Sequence, residues 1–562
     1  MVDPALRVFI NPEVCEGCGD CSVQSNCLSV EPLETPLGRK RTINQNTCNK
    51  DTSCLKGFCP SFVTIEGGRY VGTKPAAAPV APRALAEDLP WPTLPELHTP
   101  WGMLVAGVGG TGVITIGQLL GMAAHLEGKG VVTQDSAGLA QKGGATWAHA
   151  VIAARQDQLH STRVDVAAAE VVLGCDPIVA AGHETLLRVR HGQTRVVLNS
   201  HATPTASFVQ HTAWQNPAQA CAARVAQAVG EPLVAAFDAH RVATELLGDS
   251  IYINPMVLGF AWQKGWVPLH LQALRRAIEL NGVAVANNLA AFDWGRRCAH
   301  DWPAVQALLR PAQVVQWHAK PTLEALVADR VQRLTRYQNP ALAQRYQARV
   351  QAVQQAEQAL PGVGPGLPLT EAVARQYYRV LAIKDEYEVA RLYTSGDFVQ
   401  QVRQQFEGQA KVFFHVAPAF LAQRNARGQP VKRRIGGWLL GAMRVLAAMR
   451  GLRGSVWDVF GYHPERRAER AWQAEYETAL AQVVATLDAP RHGLAVQIAQ
   501  VAEQVRGYGH VKMNNLQATR HTLAALQRRW AGDAPAPSHP PHPPRLHTSE
   551  PEATVPGGSG VA

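Results

Sequence analysis

The chain has 562 residues, of which 46% are hydrophobic, and its formal net charge at pH 7 is +10. This length and composition exclude a small scaffold without a core and predict three or four units, each with its own apolar core. The opening residues lack both the basic and the apolar segment of a secretory signal, which predicts a cytoplasmic protein with reduced thiols. Net charge alone does not distinguish an anionic surface from an acidic partner.

The first predicted unit is a small α+β ferredoxin-like module over residues 1–72, which holds seven of the ten cysteines. Cys15, Cys18 and Cys21 are separated by two residues each, and Cys59 precedes a proline. This pattern is typical of a [4Fe-4S] cluster, whose fourth thiolate comes from a distant Cys-Pro pair. Structural zinc sites more often combine separated cysteine pairs or histidines, so zinc is the weaker alternative.

A candidate second cluster involves Cys27, Cys48 and Cys54. Their spacing departs from the bacterial two-cluster pattern and supplies only three thiolates. Three interpretations stay open. The site takes a non-cysteine ligand, it holds a three-iron cluster, or the cysteines only brace the loop.

Residues 73–100 are rich in proline and predict a linker. The next predicted unit, residues 101–303, is a Rossmann-like α/β domain, because short apolar runs alternate with helical segments. Six runs predict the strands of a mostly parallel sheet, covered on both faces by helices: GMLVAGV, GVVTQDS, TWAHAVIA, AEVVLG, TRVVLNS and PLVAAFD.

A glycine turn follows the first of these strands and precedes an apolar helix. Glycines allow a tight turn, and a helix N-terminus presents N–H groups to a phosphate. Asp135 follows the next strand, near the position of a ribose-binding acid, so NAD or FAD also fits. Close helix–strand packing without a ligand is the other alternative. The candidate cofactor-binding residues are Gly107, Gly109, Gly110, Thr111 and Gly112.

A second loop, between the second and third predicted strands, adds Lys142, Gly143 and Gly144 to the candidate cofactor-binding residues. Loops at the carboxyl ends of parallel strands form the ligand crevice of an open α/β sheet. Lys142 could neutralise a phosphate or carboxylate there, or it could be a solvated surface lysine.

Residues 304–532 predict a mostly helical C-terminal domain, and the proline-rich residues 533–562 predict a disordered tail. Charged residues between Lys384 and Arg391 at helical spacing predict ion pairs on a solvated face. Two basic clusters, Lys432–Arg434 and Arg466–Arg467, are candidates for docking an acidic ferredoxin. The apolar stretch from Ile435 to Met449 is too short to span a bilayer and predicts a core-facing helix.

Taken together, the cysteine run, GVGGTGV at 107–113 and DSAGLAQKGGATWAHAVIA at 135–153 resemble the 2-oxoacid:ferredoxin oxidoreductases. The resemblance is closest to the C-terminal half of the fused indolepyruvate type, with its ferredoxin module, gamma domain and helical domain. It continues through IKDEYEVARLY, GLRGSVWDVFGYHPERR and RGYGHVKMNNL. Nearly all of residues 8–520 are covered.

The resemblance implies oxidative decarboxylation of a 2-oxoacid, here an aryl one, with coenzyme A to acyl-CoA, carbon dioxide and reduced ferredoxin. Thiamine diphosphate and magnesium are then expected on an alpha/beta partner polypeptide or on a missing N-terminal half, since the chain shows no thiamine motif. External ferredoxin is the expected electron acceptor. We expect no nucleic-acid partner and no membrane span, and we assign no catalytic residue.

Two further classes of function stay open at this stage. The chain fits an iron–sulfur oxidoreductase linked to NAD or flavin, and it fits a non-catalytic scaffold whose clusters are structural.

Overall fold

The computed structural model describes residues 6–70, 86–138, 144–203, 215–309, 322–361, 366–417 and 431–532. Within these residues the chain combines a mixed, Rossmann-like sheet with a largely helical C-terminal part, as predicted. The predicted tail, 533–562, lies outside them. The predicted boundaries 1–72, 101–303 and 304–532 stay predictions.

The cysteine segment, residues 6–70, consists of short strands joined by long turns. Strand β1 pairs antiparallel with β4, and β2 pairs antiparallel with β3. The cysteines lie in the connections and in α1, which begins after the left-handed Gly19 and ends before the left-handed Asn26. The elements are β1 (Leu6–Ile10), α1 (Asp20–Ser25), β2 (Val30–Thr35), β3 (Gly38–Ile43), β4 (Phe62–Glu66) and β5 (Arg69–Tyr70).

The described part of the predicted linker, residues 86–100, contains no helix or strand. It packs along the α/β region, where the rings of Trp91 and Trp262 lie 6.0 Å apart.

All six predicted strands of the α/β region are found, in the order β11-β10-β9-β6-β8-β7. Strands β6, β9, β10 and β11 are parallel, but β8 runs antiparallel to both β6 and β7. Only residues 138–144 join β7 to β8, too few for a crossover helix, so this pair must be a hairpin. The strands are β6 (Trp101–Val108), β7 (Gly130–Ala137), β8 (Ala145–Ala153), β9 (Ala169–Gly174), β10 (Arg195–Asn199) and β11 (Val234–Phe237).

Helices pack on both faces of this sheet and complete two apolar cores. The closest helix pair meets at Gly259 and Gly295, where an added Cβ would lie 1.9 Å from a carbonyl oxygen of the other helix. The helices are α2 (Val113–Leu126), α3 (Pro177–Ala180), α4 (His183–Leu186), α5 (Ala218–Val229), α6 (Ala239–Val242), α7 (Ile253–Gln263), α8 (Leu271–Asn281), α9 (Val285–His300) and α10 (Trp302–Leu308).

The C-terminal region is largely helical, as predicted, and has its own apolar core. Its helices are α11 (Leu323–Tyr337), α12 (Pro340–Gln358), α13 (Pro368–Leu381), α14 (Glu386–Thr394), α15 (Asp397–Gln405), α16 (Leu439–Ala448), α17 (Pro464–Ala485), α18 (His492–Gln500) and α19 (Gly509–Ala531).

Three strands interrupt the helices: β12 (Phe406–Glu407), β13 (Lys411–Val416) and β14 (Arg433–Ile435). Strand β13 pairs with β4 of the cysteine segment, which gives one sheet of order β1-β4-β13-β14. The cysteine segment and the C-terminal region therefore share a sheet and an apolar core.

Helix α16 meets the core with one face only. Met443 and Ala447 are buried, whereas Val445 and the preceding Trp438 are 64% and 73% exposed. Within the described residues, no helix is both long enough and apolar enough to cross a bilayer.

Candidate iron–sulfur site and glycine turn

The four cysteines of the predicted first cluster lie together. Cys15, Cys21 and Cys59 are buried and Cys18 is half-buried, all as free thiols. Burial and then the neighbouring thiols of Cys59 and Cys21 raise the pKa of Cys18. Burial and then Cys15 raise the pKa of Cys59 to about 12. Each thiol thus lies within the electrostatic reach of the others, as ligands of one cluster must.

Glycines shape the backbone around these thiols. Gly17 has a φ of 67°, and its N–H donates to the Cys15 Sγ at 3.3 Å. A Cβ added to Gly57 would lie 2.7 Å from the Cα of Cys21, so only glycine lets this turn approach α1. The N–H of Ser61 donates to the Cys59 Sγ at 3.4 Å. Such N–H···S bonds tune the reduction potential of clusters that cysteines hold.

Two cations face the first set of thiols. Arg41 is only 1% exposed, and the charges of Cys21, Cys15 and Cys18 act on its pKa. The Lys432 Nζ donates to the carbonyl of Gly57 and lies near Cys59. Positive charge at this position would offset the negative charge of thiolates around a cluster.

The second set, Cys27, Cys48 and Cys54, also lies together. Burial and then Cys27 and Cys48 raise the pKa of Cys54 to about 12. After burial, the charge of Asp51 is among the causes that raise the pKa of Cys48 and of Cys54, and this carboxylate accepts a hydrogen bond from Ser53 Oγ at 2.7 Å. The thiols of this set therefore act on one another, and Cys54 also acts on Cys21 of the first set.

In the part of the chain that the structure describes, no group of three or more His, Cys, Asp and Glu side chains is arranged to hold one metal ion. A [4Fe-4S] cluster needs a different arrangement, because its four cysteines bind four different irons. Three buried thiols and one half-buried thiol, two of them with N–H donors, together with neighbouring cations, fit that group by their chemistry.

Residues far along the chain hold the backbone of the cysteine segment, and they lie in two of the motifs that carry the family resemblance, IKDEYEVARLY and RGYGHVKMNNL. The hydroxyl of Tyr508 donates to Val14 O at 2.6 Å, and that of Tyr393 donates to Pro60 O at 2.7 Å. The Lys384 Nζ donates to Cys15 O at 3.0 Å and pairs with Glu16 at 2.9 Å.

The prediction of a solvated face between Lys384 and Arg391 is wrong. Asp385 and Glu388 are 6% and 7% exposed, and Lys384 reaches the cysteine segment. Asp385 accepts two hydrogen bonds from Arg453, at 2.5 and 2.8 Å. Helical spacing identifies residues that share a face, but it does not say whether another segment covers that face.

The basic clusters proposed for ferredoxin docking are largely engaged within the chain. Lys432 contacts Gly57, Arg434 pairs with Glu66 at 2.6 Å, and the half-buried Arg466 pairs with Glu469. Arg433 and Arg467 remain exposed.

The glycine turn lies between β6 and α2, as predicted. Gly110 and Gly112 have φ values of 85° and 93°, in the left-handed region that favours glycine. The Gly109 N–H donates to Gly144 O at 2.7 Å, and the Asn254 Nδ2 donates to Thr111 O at 2.9 Å. In the described ranges, the N-terminus of α2 receives no capping hydrogen bond from a side chain.

The two predicted loops therefore meet, since Gly144 belongs to the loop between β7 and β8. Lys142 and Gly143 lie outside the described residues.

Individual glycines of the turn have different roles. A Cβ on Gly107 would lie 2.7 Å from Val113 Cγ2, so this glycine serves helix–strand packing. Among the described residues, nothing lies within 4 Å of the Cβ position of Gly110. Close packing alone therefore accounts for Gly107 but not for Gly110.

Asp135 does not lie where a dinucleotide-binding fold places its ribose-binding acid, so this expectation is wrong. In that fold the second strand lies directly beside the first. Here the reversed β8 separates β7, which carries Asp135, from β6. This arrangement weakens the NAD interpretation.

Two histidines at the carboxyl edge of the sheet were missed by sequence analysis. His201 follows β10 and His240 follows β11, and their rings stack 3.9 Å apart. Burial, with the neighbouring His201, lowers the pKa of His240 to about 3. Their positions just after predicted strands were the one signal that could have identified them.

Comparison with known proteins bears on this α/β region. Residues 102–298 match the family described as pyruvate ferredoxin/flavodoxin oxidoreductase. This region is a domain of that family. For this region, the predicted resemblance to the 2-oxoacid:ferredoxin oxidoreductases is thereby confirmed. Residues 323–525 match a second family, described as a family of unknown function, DUF6537.

Curated relatives are similar over about a third of the chain. The indolepyruvate oxidoreductase subunit IorB of Pyrococcus horikoshii is 27% identical over 203 residues, which are 36% of this chain and 96% of the relative. The subunit of the same name from Archaeoglobus fulgidus is 26% identical over 200 residues, 34% of this chain and 92% of the relative.

Among solved structures, the gamma subunit of a keto/oxoacid ferredoxin oxidoreductase from Geobacter sulfurreducens is 19% identical, with a TM-score of 0.25. It covers 36% of this chain and 98% of its own. The 2-oxoglutarate:ferredoxin oxidoreductase from Magnetococcus marinus is 17% identical over 36% of this chain and 31% of its own, with a TM-score of 0.28. At such low scores these structures add nothing to the family assignment.

Proposed function

We propose that this chain is the electron-transfer and gamma-domain portion of an indolepyruvate-type 2-oxoacid:ferredoxin oxidoreductase in the cytoplasm. The reaction converts an aryl 2-oxoacid and coenzyme A to an acyl-CoA and carbon dioxide, and ferredoxin takes up the electrons. A thiamine-binding alpha/beta partner, or a missing N-terminal half, supplies thiamine diphosphate and magnesium. Relatives named as subunits support the need for such a partner.

The observation that carries the proposal is the convergence of Cys15, Cys18, Cys21 and Cys59 in a chain that also contains an oxidoreductase-family domain. A [4Fe-4S] cluster held there would accept and release single electrons. The thiols bind it, the N–H groups of Gly17 and Ser61 donate to their sulfurs, and Arg41 and Lys432 offset the negative charge.

The glycine turn would bind the phosphates of coenzyme A. The N–H groups of the uncapped first turn of α2 supply donors, and the open space beside Gly110 leaves room for a phosphate. Lys142 and Gly143 belong to the neighbouring loop and are proposed to complete this site.

For the second set of cysteines we propose a second cluster. Asp51 is the proposed non-cysteine ligand that three thiolates require, because it lies between Cys48 and Cys54 in the sequence and its charge acts on both thiols.

Activity with the partner tests the proposal. The full chain is mixed anaerobically with a thiamine-binding alpha/beta subunit, coenzyme A, ferredoxin and indolepyruvate. We expect ferredoxin reduction that depends on the 2-oxoacid, fails with Cys18→Ser and persists with Cys221→Ser, a half-buried cysteine outside both sets. Reduction that instead requires NAD or flavin would favour the linked oxidoreductase, and iron that dithionite cannot reduce would favour the scaffold.

A further inference from the structure

A cavity of about 400 Å³ lies between the cysteine segment and the C-terminal helices. One wall is the turn between β2 and β3, including Lys40. The opposite wall is formed by α11, α13 and α14, and the end of α18 closes one side. The volume falls within the range of small-molecule sites in proteins.

The charges on the cavity wall do not balance. Every carboxylate that lines the cavity is paired with an arginine or a lysine, as Glu16 is with Lys384 and Glu503 is with Arg506. Arg330 also lines the cavity and pairs with Asp329, which lies outside the lining, and two further cations, Lys40 and Arg379, line it as well. Within the described residues, neither side chain forms an ion pair or donates a hydrogen bond. The wall therefore carries an excess of positive charge.

Lys40 and a neighbouring amide are deeply buried. Lys40 and Gln376 are each only 6% exposed, and both line the cavity. The Gln376 Oε1 is buried and has no hydrogen-bond partner in the part of the chain described. Burying polar groups without partners is unfavourable, so such groups around one cavity indicate a polar ligand.

Neighbouring cations also repel these two side chains. Burial and then Lys384 lower the pKa of Lys40 to about 7, although Glu16 acts in the opposite direction. Burial and then Arg506 lower the pKa of Arg379 to about 10, and Glu16 and Glu503 oppose this. A bound anion would relieve both the repulsion between these cations and the cost of burying them.

We propose that this cavity binds a small molecule that carries at least two negative charges, as a diphosphate or a polycarboxylate does. Arg379 binds one anionic group through its planar guanidinium, Lys40 binds the other, and the Gln376 Oε1 accepts from a hydroxyl or protonated oxygen of the ligand. This site is separate from the glycine turn, and its existence does not depend on the proposed redox function.

Calorimetric titration of the full chain with inorganic pyrophosphate, and separately with citrate, tests the site. We expect saturable binding of at least one anion, and the one that binds more tightly tells phosphate from carboxylate chemistry. Arg379→Gln should weaken this binding at least about tenfold, whereas Lys40→Arg, which keeps the charge, should retain most of it.

Arg345→Gln is the matched control, because Arg345 pairs with Glu477 at 2.6 Å and does not line the cavity. Circular dichroism and the iron content of each variant separate a local effect from loss of the fold or of the cluster. If Arg379→Gln disturbs the fold, Lys40→Gln takes its place. The absence of saturable binding of both anions, or equal weakening by the control substitution, would overturn the proposal.

Discussion

The cysteine segment and the α/β region position their candidate sites in different ways. In the α/β region, the glycine turn is fixed by neighbours within that region, Gly144 and Asn254. In the cysteine segment, the backbone next to Cys15 is fixed by Lys384 and Tyr508, which belong to the C-terminal region. The glycine turn is built within its own region, whereas the cysteine site is completed by residues from the far end of the chain.

This difference suggests a role for the C-terminal region, whose matched family has no described function. Its strand β13 extends the sheet of the cysteine segment, and its tyrosines bind the carbonyls beside the thiols. The helical region therefore supports the candidate cluster site as well as its own core.

The largest effect should come from the thiols themselves. Cys59→Ser removes a proposed ligand of the first cluster, and the chain should lose most of the iron bound by that set. Cys298→Ser changes a buried cysteine of the α/β region and should keep its iron. Iron analysis of both proteins, purified without oxygen, makes the comparison. Equal iron in the two variants would rule out Cys59 as a ligand.

Loss of a supporting hydrogen bond should have a smaller effect. Tyr508→Phe leaves Val14 O with only the weaker bond from the Lys384 Nζ, at 3.2 Å, and should cost about 1 kcal/mol of unfolding free energy. Tyr346→Phe removes a similar bond, to Ala374 O at 2.8 Å, within the helical region. Only Tyr508→Phe should also speed the loss of iron to a chelator. The support from the C-terminal region would be disproved if both variants lost iron at the wild-type rate.

The glycine turn offers a matched pair of positions. Gly110 and Gly128 both have positive φ and open space around the Cβ position, so alanine should cost each about 1 kcal/mol of stability. Only Gly110→Ala should weaken coenzyme A binding, because Gly128 lies at the other end of α2. Equilibrium binding of coenzyme A measures the difference. Unchanged affinity in Gly110→Ala would assign this turn to packing.

The smallest expected effect is on the pH dependence of stability, through a histidine buried in the α/β sheet. His149 is buried in β8, its Nδ1 accepts from Val164 N, and burial lowers its pKa from 6.5 to about 4. Between pH 4 and 6.5 the unfolded chain binds more protons at His149 than the folded chain does. The contribution of neutral His149 to the free energy of unfolding is therefore complete above about pH 6.5 and falls toward pH 4. His149→Asn should lose less stability than the wild type between pH 7.5 and 5 in urea unfolding. Identical losses of stability in the variant and the wild type would show that His149 does not cause the pH dependence.

Local chemistry explains what the sequence could predict. The two thiol sets follow from cysteine spacing, and the six strands follow from short apolar runs. The reversed direction of β8 was not predicted, because apolar runs indicate strands but not their direction. Lys384 was assigned to solvent because its spacing resembles that of a surface helix. The contacts of Tyr393 and Tyr508 leave no local pattern at all.

The most direct test of the central claim is electron paramagnetic resonance of the anaerobically purified full chain, before and after reduction with dithionite, beside its acid-labile sulfide content. We predict a signal of a reduced [4Fe-4S] cluster that appears on reduction and stoichiometric sulfide. A colourless protein with zinc in place of iron, no sulfide and no signal would contradict the account.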